Sequence, residues 1–242
     1  MKPLVSARNA PVRRSITSDN DGNAARQPSR RDLLALGAAA LASVMPLRDA
    51  RAQAPIKLVA FGDSLTAGYG LGPREGFAPR LEAALRARGH NVVVANAGVS
   101  GDTASGGADR LDWSVPDGTD GVIVELGAND MLRGVDPKVT RAAITRILDR
   151  LAARKIPAML AGMRASPNLG PDYVRRFESI YPDLATERGL VLYPFFLEGV
   201  VGNRSLNLPD GLHPTAEGVD VVVENITPTV EKFLAQIAAR RS

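Results

Sequence analysis

The chain has 242 residues, of which 30 are Lys or Arg, 26 are Asp or Glu, 2 are His and none is Cys. The lack of cysteine excludes a disulfide-stapled scaffold and a cysteine-ligated metal site. A hydrophobic share of 45% beside a charged share of 23% is typical of a soluble globular protein, and it excludes a disordered, fibrous or polytopic membrane chain.

The positive charge of the chain is concentrated at its beginning. Residues 1–52 contain nine Lys and Arg against four Asp and Glu, whereas the remaining residues contain 21 and 22. A basic folded body would indicate nucleic acid or acidic lipid as a partner, but here the body carries a net charge of −1. We therefore expect no nucleic-acid partner.

The same segment has the order of a bacterial export signal. Arg30 and Arg31 precede an apolar run over residues 33–47, and Ala50 and Ala52 supply the small residues of a cleavage site. The paired arginines favour a twin-arginine signal, with an ordinary export signal as the alternative. A membrane anchor would need about 20 apolar residues, and this run is shorter.

This pattern divides the chain into a leader and a folded domain. We predict an export leader over residues 1–52 and a domain over residues 53–242, with Gln53 as the mature N-terminus. We also predict a periplasmic or secreted location, with no stable membrane anchor after cleavage.

After the leader, short apolar runs alternate with segments of helical period. The runs show little polar alternation, as is typical of strands buried on both faces of a parallel sheet, and they cover residues 56–61, 92–95, 122–126, 158–161 and 190–193. Helical periodicity is clearest at residues 77–85, 144–151 and 219–237, and Pro228 is expected to kink or split the last helix. The alternation predicts one α/β domain with a three-layer α/β/α, doubly wound, five-stranded parallel sheet.

The turn after the first strand reads Gly62-Asp63-Ser64 and lacks the glycine spacing of dinucleotide-binding and phosphate-binding loops. A serine at this position, at the N-terminus of a helix, can act as a nucleophile because the helix dipole favours developing negative charge. The alternative is that Asp63 or Ser64 merely caps the helix. For this turn taken alone, capping is the better interpretation.

Small and polar residues also follow the second and third strands. Gly98 and Gly101 allow backbone N–H groups to approach a ligand closely, as an oxyanion hole requires, although a mobile connection would also use them. Asn129 either donates a hydrogen bond into the crevice or satisfies a turn. Ligands of doubly wound sheets bind beyond these strand ends, so chemistry is expected there.

The two histidines differ in their neighbours. Asp210 stands three residues before His213 across a glycine turn, so its carboxylate can bond the imidazole and fix the tautomer. His90 has no such companion, and we predict a solvated residue at the end of a helix. A surface-loop histidine is the alternative for His213, and it weakens once the serine, glycine and asparagine at the strand ends are considered with it.

Four blocks occur in order along the mature chain: G-D-S-L at 62–65, the glycine of S-G-D-T at 101, G-x-N-D at 127–130 and D-x-x-H at 210–213. Together they resemble the signature of the GDSL or SGNH hydrolases. Longer stretches, V-E-L-G-A-N-D-M-L-R-G, Y-P-F-F and D-G-L-H-P-T-A-E, are similar to the bacterial arylesterase, thioesterase I and lysophospholipase L1 branch. The resemblance implies a flavodoxin-like SGNH hydrolase fold.

The resemblance also implies a role for each residue of the four blocks. Ser64 would be the nucleophile, His213 the general base and then acid, and Asp210 the partner that orients the imidazole. The oxyanion would be held by the backbone N–H groups of Ser64 and Gly101 and by the side chain of Asn129. No cofactor and no metal are implied.

A further implication concerns the acyl chain of a substrate. The loop over residues 131–137 resembles the segment that moves over the acyl chain in this branch, and Asp130 is expected to shape it. We expect an apolar lining near Met131, Leu132 and Met163.

We therefore predict an exported serine esterase that acts on small-molecule or lipid substrates through a carboxylic ester or thioester, and we favour a monomer. The runner-up is an O-acetyl esterase that acts on carbohydrates. A hypothesis from a different class is an exported carbohydrate-binding module that has kept the fold without turnover. A nucleotide-binding flavodoxin-like protein is disfavoured because the phosphate-binding glycines are missing.

Overall fold

The computed structural model describes residues 54–241, which are organised around a five-stranded parallel sheet. The sheet order is β2-β1-β3-β4-β5, and every neighbouring pair is parallel. The strands are β1 Ile56–Gly62, β2 Val92–Gly98, β3 Gly121–Glu125, β4 Ala158–Ala161 and β5 Val191–Tyr193. The predicted doubly wound sheet is confirmed, whereas the predicted leader and the mature start at Gln53 lie outside the described residues.

Eight α-helices accompany the sheet within residues 54–241. They are α1 Ser64–Ala67, α2 Phe77–Ala87, α3 Ala104–Ser114, α4 Ala128–Leu132, α5 Pro137–Ala153, α6 Pro171–Glu178, α7 Ile180–Arg188 and α8 Ala216–Arg241. No helix in this part of the chain is long and apolar enough to cross a membrane.

The helices cover the two faces of the sheet because of the direction in which the chain crosses over. The connection from β1 to β2 runs one way along the sheet, and the connections from β2 to β3, β4 and β5 run the other way. Since parallel crossovers are right-handed, α2 lies on one face and α3, α5 and α7 lie on the other. α8 packs against α2, and α5 packs against both α3 and α7.

One strand, β2, is longer at its carboxyl end than the sequence pattern predicts. β2 was expected to end at residue 95 but continues to Gly98, because its last residues pair with β1 in a register that joins Ala97 to Phe61 and Gly98 to Gly62. The polar Asn96 interrupts the apolar pattern without interrupting the backbone ladder. The turn that carries Ser64 and the loop after β2 therefore leave the sheet side by side.

The last helix corrects one expectation. α8 is continuous across Pro228, so of the two predicted outcomes, a kink or a split, the split is wrong. Proline removes one helical hydrogen bond, but Ile226 and Val230 are buried on either side of it and keep the helix packed. The hydroxyl of Thr227 also donates to the Val223 carbonyl over 2.6 Å, which adds a bond in the same turn.

His90 corrects another expectation. It follows the end of α2, as predicted, but it is not a solvated residue without a companion. Its Nε2 lies 3.0 Å from Oε1 of Glu231 on α8, and its side chain is about one-third exposed. The partner belongs to a helix that is distant in the sequence, so local spacing could not indicate it.

Candidate active site

Ser64, Asp210 and His213 form one hydrogen-bonded chain at the carboxyl edge of the sheet. His213 Nε2 lies 2.8 Å from Ser64 Oγ, and His213 Nδ1 lies 2.7 Å from Asp210 Oδ2. Ser64 begins α1 directly after β1, whereas the other two residues lie on the loop between β5 and α8. The structure thus brings together three residues that the sequence separates by up to 149 positions.

The turn that carries Ser64 depends on close packing of backbone atoms. A Cβ on Gly62 would lie 2.5 Å from the Glu125 carbonyl oxygen, and a Cβ on Gly98 would lie 2.2 Å from the Ala67 nitrogen. Both positions therefore require glycine. The cap of α1 is Asp63, whose Oδ1 accepts from Leu65 N–H over 3.0 Å, so the Ser64 hydroxyl is not used as a cap and faces His213.

The loop that carries the other two residues is shaped by the carboxylate itself. Asp210 Oδ1 accepts from the N–H groups of Leu212 and His213 over 2.9 and 3.0 Å, which leaves Oδ2 for the imidazole. An antiparallel bridge between Asn207 and Pro214 closes the base of the loop, through bonds from Leu208 N–H to the His213 carbonyl over 2.7 Å and from Thr215 N–H to the Leu206 carbonyl over 2.9 Å.

The charge on Asp210 is stabilised by these contacts. Burial alone would raise the pKa of Asp210, but the hydrogen bonds from Leu212, from the His213 backbone and from the imidazole outweigh it and lower the pKa to about 2. The carboxylate is therefore ionised at neutral pH and can stabilise an imidazolium on His213.

The three expected oxyanion donors follow three neighbouring strands. Ser64 follows β1, Gly101 follows β2 and Asn129 lies in α4 directly after β3, and these strands are adjacent in the order β2-β1-β3. This is where the winding direction of the sheet reverses, which is the usual ligand position in doubly wound folds. Gly101 has a φ of +85°, a conformation that favours glycine, and its carbonyl accepts from Arg133 Nη2 over 2.7 Å.

The amide of Asn129 is oriented by a buried carboxylate. Asn129 Nδ2 donates to Asp63 Oδ2 over 3.1 Å, and because the amide nitrogen carries two hydrogens, a second N–H is left for a ligand. Burial raises the pKa of Asp63 to about 6, although the bonds from Leu65 and Asn129 oppose this shift. Asp63 is therefore largely ionised at pH 7 and above.

Glu125, at the end of β3, is a second buried carboxyl group beside the first. Its Oε2 accepts from the Thr66 hydroxyl over 2.7 Å and from the Asp63 N–H over 3.4 Å, and among the described residues its Oε1 has no hydrogen-bond partner. Burial, reinforced by the charge of Asp63, raises the pKa of Glu125 well above its usual value. We infer that Asp63 carries the negative charge of this pair and Glu125 carries the proton, since Asp63 has the better donors.

Two contacts of the site were missed by sequence reasoning. The Tyr69 ring lies against the His213 imidazole, with ring centroids 4.4 Å apart and planes inclined by 36°, and half of the tyrosine side chain is exposed. The Asp63–Glu125 pair was also missed. An aromatic residue five positions after the serine gives a weak signal, and the pairing of two carboxyl groups from different strands gives no local signal.

The segment after Asn129 is held by its neighbours on both sides. Asp130, which was expected to shape this loop, is fully buried and accepts from Ala104 N–H over 2.7 Å and from the Thr140 hydroxyl over 3.0 Å. On α6, Tyr173 donates to the Val135 carbonyl over 2.9 Å. The loop over residues 131–137 is thus tied to α3, α5 and α6.

The expected apolar lining is only partly open to solvent. Leu132 is 53% exposed and Met131 is partly buried, but Met163 is only 3% exposed and belongs to the core. Of the three residues expected near this lining, Met163, which follows β4, is therefore almost closed off from solvent. Within residues 54–241, no group of three or more His, Asp or Glu residues is placed to hold a metal ion.

Comparison with known families agrees with this geometry. Residues 60–221, which include every residue of the site just described, match the model of the GDSL-like Lipase/Acylhydrolase family. The chain belongs to this family. Family membership makes it a carboxylic ester hydrolase of the SGNH type, and it confirms the resemblance that the four sequence blocks indicated.

Individual relatives of this GDSL-like chain are similar over most of its length. Esterase TesA of Pseudomonas aeruginosa is 35% identical over 195 residues, which cover 80% of this chain and 96% of the relative. An arylesterase of Vibrio mimicus is 37% identical over 186 residues, which cover 76% of this chain and 93% of the relative.

Solved structures of the family share the fold. AlinE4, described as an SGNH-hydrolase family esterase, is 48% identical and superposes with a TM-score of 0.63, covering 74% of this chain and 97% of that chain. The crystal structure of TesA is 34% identical with a TM-score of 0.69, covering 73% of this chain and 98% of that chain.

Proposed function

We propose that this protein is an exported serine esterase that forms an acyl-enzyme on Ser64. The single observation that carries the proposal is the continuous chain of short contacts from Ser64 Oγ through His213 to Asp210, at 2.8 and 2.7 Å. Nucleophile and base lie within hydrogen-bond reach, and a third group orients the base, which is the arrangement required for nucleophilic catalysis.

Acylation follows from this geometry. Ser64 Oγ attacks the carbonyl carbon while its proton passes to His213 Nε2, and the carbonyl electron pair becomes an oxyanion. The N–H groups of Ser64 and Gly101 and the free N–H of Asn129 would stabilise that charge. Collapse of the oxyanion breaks the ester or thioester bond, and the leaving alkoxide or thiolate takes the proton from His213.

Deacylation repeats these steps with water. His213 accepts a proton from the water molecule that attacks the acyl carbon, and the second oxyanion is held by the same donors. When it collapses, the carboxylic acid leaves and Ser64 Oγ recovers its proton. Every proton passes through one imidazole nitrogen. No atom changes its oxidation state in either half of the reaction.

The proposed substrates are carboxylic esters or thioesters of the kind named for the relatives, an arylesterase and a thioesterase 1/protease 1/lysophospholipase L1. Tyr69, whose ring lies against His213, and Leu132, three residues after Asn129, are exposed and would contact an acyl or aryl group. We further propose that residues 1–52 direct export, so that esters outside the cytoplasm, lysophospholipids among them, are the everyday substrates.

The test is hydrolysis of p-nitrophenyl esters with acyl chains from acetyl to dodecanoyl, measured for the protein and for Ser64→Ala. We expect turnover that disappears in Ser64→Ala while the thermal unfolding temperature stays close to that of the parent. A rate that collapses beyond acetyl would instead identify a carbohydrate O-acetyl esterase. Equal background hydrolysis in both proteins would contradict the esterase proposal and favour the carbohydrate-binding module.

A further inference from the structure

A largely buried guanidinium group contacts the backbone next to the predicted oxyanion donors. Arg110 is on α3, and its side chain is only 13% exposed. Its Nη2 donates to the Gly62 carbonyl over 2.8 Å, its Nη1 donates to the Ala97 carbonyl over 2.9 Å, and its Nε donates to Asp102 Oδ2 over 2.5 Å. One side chain therefore contacts the end of β1, the end of β2 and the loop that follows β2.

Two more contacts fix the plane of this guanidinium. Nη1 also donates to the hydroxyl of Ser114, one turn further along α3, over 2.9 Å. The guanidinium carbon lies 4.3 Å from the centre of the fully buried Phe61 ring. Four of the five N–H groups of Arg110 thus have a partner, and the face of the group is stacked. Such a fixed group can hold backbone in place, which a freely rotating side chain cannot.

Arg110 bonds to the backbone that flanks two of the three proposed oxyanion donors, the N–H groups of Ser64 and Gly101. Gly62 lies two residues before Ser64, and Asp102 directly follows Gly101. Gly101 adopts a φ of +85°, so its N–H direction depends on how the flanking peptides are held. The first strand end and the loop after β2 have no covalent link near the site, and Arg110 bonds to both.

We propose that Arg110 is a positioning residue for the oxyanion hole. It holds the N–H groups of Ser64 and Gly101 in the relative orientation that lets both donate to one oxygen, without itself touching the substrate. This inference rests on the proposed function and extends it to a residue outside the four sequence blocks. Lysine cannot replace arginine here, because an ammonium group cannot bond three divergent acceptors in one plane.

A purely structural role for Arg110 would have a different consequence. It would lower the stability of α3 and the sheet but leave turnover unchanged at temperatures at which the variant is folded. A positioning role lowers kcat in the folded variant, because the donors are displaced from the charge that develops in the transition state, and it leaves KM nearly unchanged.

The experiment compares Arg110→Lys with two matched controls, Arg146→Lys and Leu111→Val. Arg146, on α5, forms an exposed ion pair at 2.7 Å with Asp109, which lies on α3 next to Arg110. Leu111, the residue after Arg110, is buried. kcat and KM for p-nitrophenyl butyrate are measured well below the unfolding temperature of each protein. The rate at which an activated phosphonate ester labels Ser64 is measured in parallel, since that reaction also develops charge in the hole.

For Arg110→Lys we expect kcat and the labelling rate to fall about 10- to 100-fold, with KM changed less than about threefold. Both controls should keep kcat within about twofold, including Leu111→Val when it lowers the unfolding temperature as much as Arg110→Lys does. An unchanged kcat in folded Arg110→Lys, or a loss confined to KM, would overturn the proposal.

If Arg110→Lys does not fold, Asp102→Asn carries the same test. The asparagine keeps the shape of the side chain and one acceptor oxygen, but it weakens the bond to Arg110 Nε. A loss in kcat and in labelling rate of the same kind is expected, and unchanged values would overturn the proposal. Phosphonate labelling of Ser64 also keeps this test separate from the proposed function, because it reports on the hole even for an ester that the protein does not turn over.

Discussion

In the proposed site, Asn129 uses both hydrogens of its amide nitrogen. One is donated to Asp63, and the other is available for the charge that develops on a substrate. The first contact fixes the rotamer, so the second N–H is oriented before the substrate arrives. Such preorganised donors contribute most when water is excluded and when their partner becomes charged only in the transition state.

Replacing Asn129 by alanine should therefore act on turnover. We expect Asn129→Ala to lower kcat about 10²- to 10³-fold with a much smaller change in KM. Steady-state kinetics of p-nitrophenyl butyrate hydrolysis measures both constants. Asn225→Ala, which removes an amide that donates to the Glu198 carbonyl, is the control and should leave kcat unchanged. An increase in KM alone would show that Asn129 binds the ground state.

The ionised carboxylate of Asp63 accepts the hydrogen bond that orients Asn129, but the same charge is buried and lowers the stability of the fold. Because its pKa is about 6 in the folded protein and near 3.8 in an unfolded chain, the folded state binds the proton more tightly. The stabilisation from this group is complete below about pH 4 and is lost as the pH rises through about 6. At neutral pH the folded protein therefore carries the cost of a buried charge.

Asp63→Asn should remove this cost and still cap α1, since asparagine is also a good cap. As the pH rises from 5 to 8, the parent should lose about 1 to 2 kcal/mol of unfolding free energy relative to Asp63→Asn. Urea unfolding at the two pH values measures it. Asp109→Asn, at an exposed carboxylate, controls for net charge, and a pH-independent difference for Asp63→Asn would contradict the assignment.

The site residues that the sequence predicts are those that belong to a short, recognisable sequence pattern. Ser64, Gly101 and Asn129 stand beside glycines at strand ends, and Asp210 stands one turn before His213, so short patterns identify them. Arg110, Tyr69 and Glu125 act through contacts with residues that are distant in the sequence, and nothing in their own neighbourhood distinguishes them from surface or core positions.

At the level of elements, three helices end in the same way. After α2, α5 and α7, one residue has positive φ and the next N–H bonds back to a carbonyl five residues earlier. Glycine occupies this position after α2 and α7, at Gly89 and Gly189. After α5 the position is Lys155, with a φ of 58°, the only residue other than glycine with positive φ in residues 54–241.

Lysine at this position is strained, because a Cβ in the left-handed conformation costs about 1–2 kcal/mol and the flexibility of glycine offsets only part of that. We expect Lys155→Gly to raise the unfolding free energy by up to about 1 kcal/mol, which corresponds to about 2–4 °C in Tm for a domain of this size. Thermal unfolding measures it. Gly189→Ala should lower Tm, because it adds a Cβ at a residue with positive φ. A Tm that shifts in the same direction in both variants would contradict this explanation.

Elements were predicted well where their apolar pattern is clear and poorly where a helix is very short. The five strands follow from short apolar runs with little polar alternation, and the helices α2, α5 and α8 follow from apolar patterns of helical period. The helices α1 and α4 have too few turns to show a period, and the boundary of β2 depends on its pairing with β1 rather than on its own residues. The continuity of α8 through Pro228 depends on the packing of Ile226 and Val230, which the local preference of proline does not include.

At the scale of the whole molecule, the order of elements and the handedness of the crossovers determine where the site lies. Once five strands alternate with helices, right-handed connections leave few arrangements, and the strand ends at the reversal point lie together in each of them. That is why the fold followed from the sequence and why the sequence predicts a site at these strand ends. The contacts of Arg110, Tyr69 and Glu125 depend on packing that the order of elements does not specify.

The proposed export of the protein also concerns the whole chain. Replacing Arg30 and Arg31 by lysines should block export if the leader is a twin-arginine signal, and Arg13 and Arg14 offer a second arginine pair as a matched control. Fractionation of a bacterial host should find the first variant inside the cytoplasm and the control outside it, with Gln53 as the first residue of the exported form. Export of both variants would indicate an ordinary signal, and any other N-terminal residue would contradict the cleavage site.

The loop that carries Asp210 and His213 has a consequence for how the enzyme fails under stress. It is closed at its base by the two backbone bonds of one bridge, whereas Ser64 follows the largely buried strand β1. Opening such a loop requires much less free energy than melting the core. With Asp210 and His213 in their proposed roles, we expect gentle heating or mild denaturant to abolish activity while the circular dichroism spectrum is still native, and we expect cooling to restore activity. The temperature range of activity would then be set by the opening of this loop. The core, which stays folded, would allow the loop to close again.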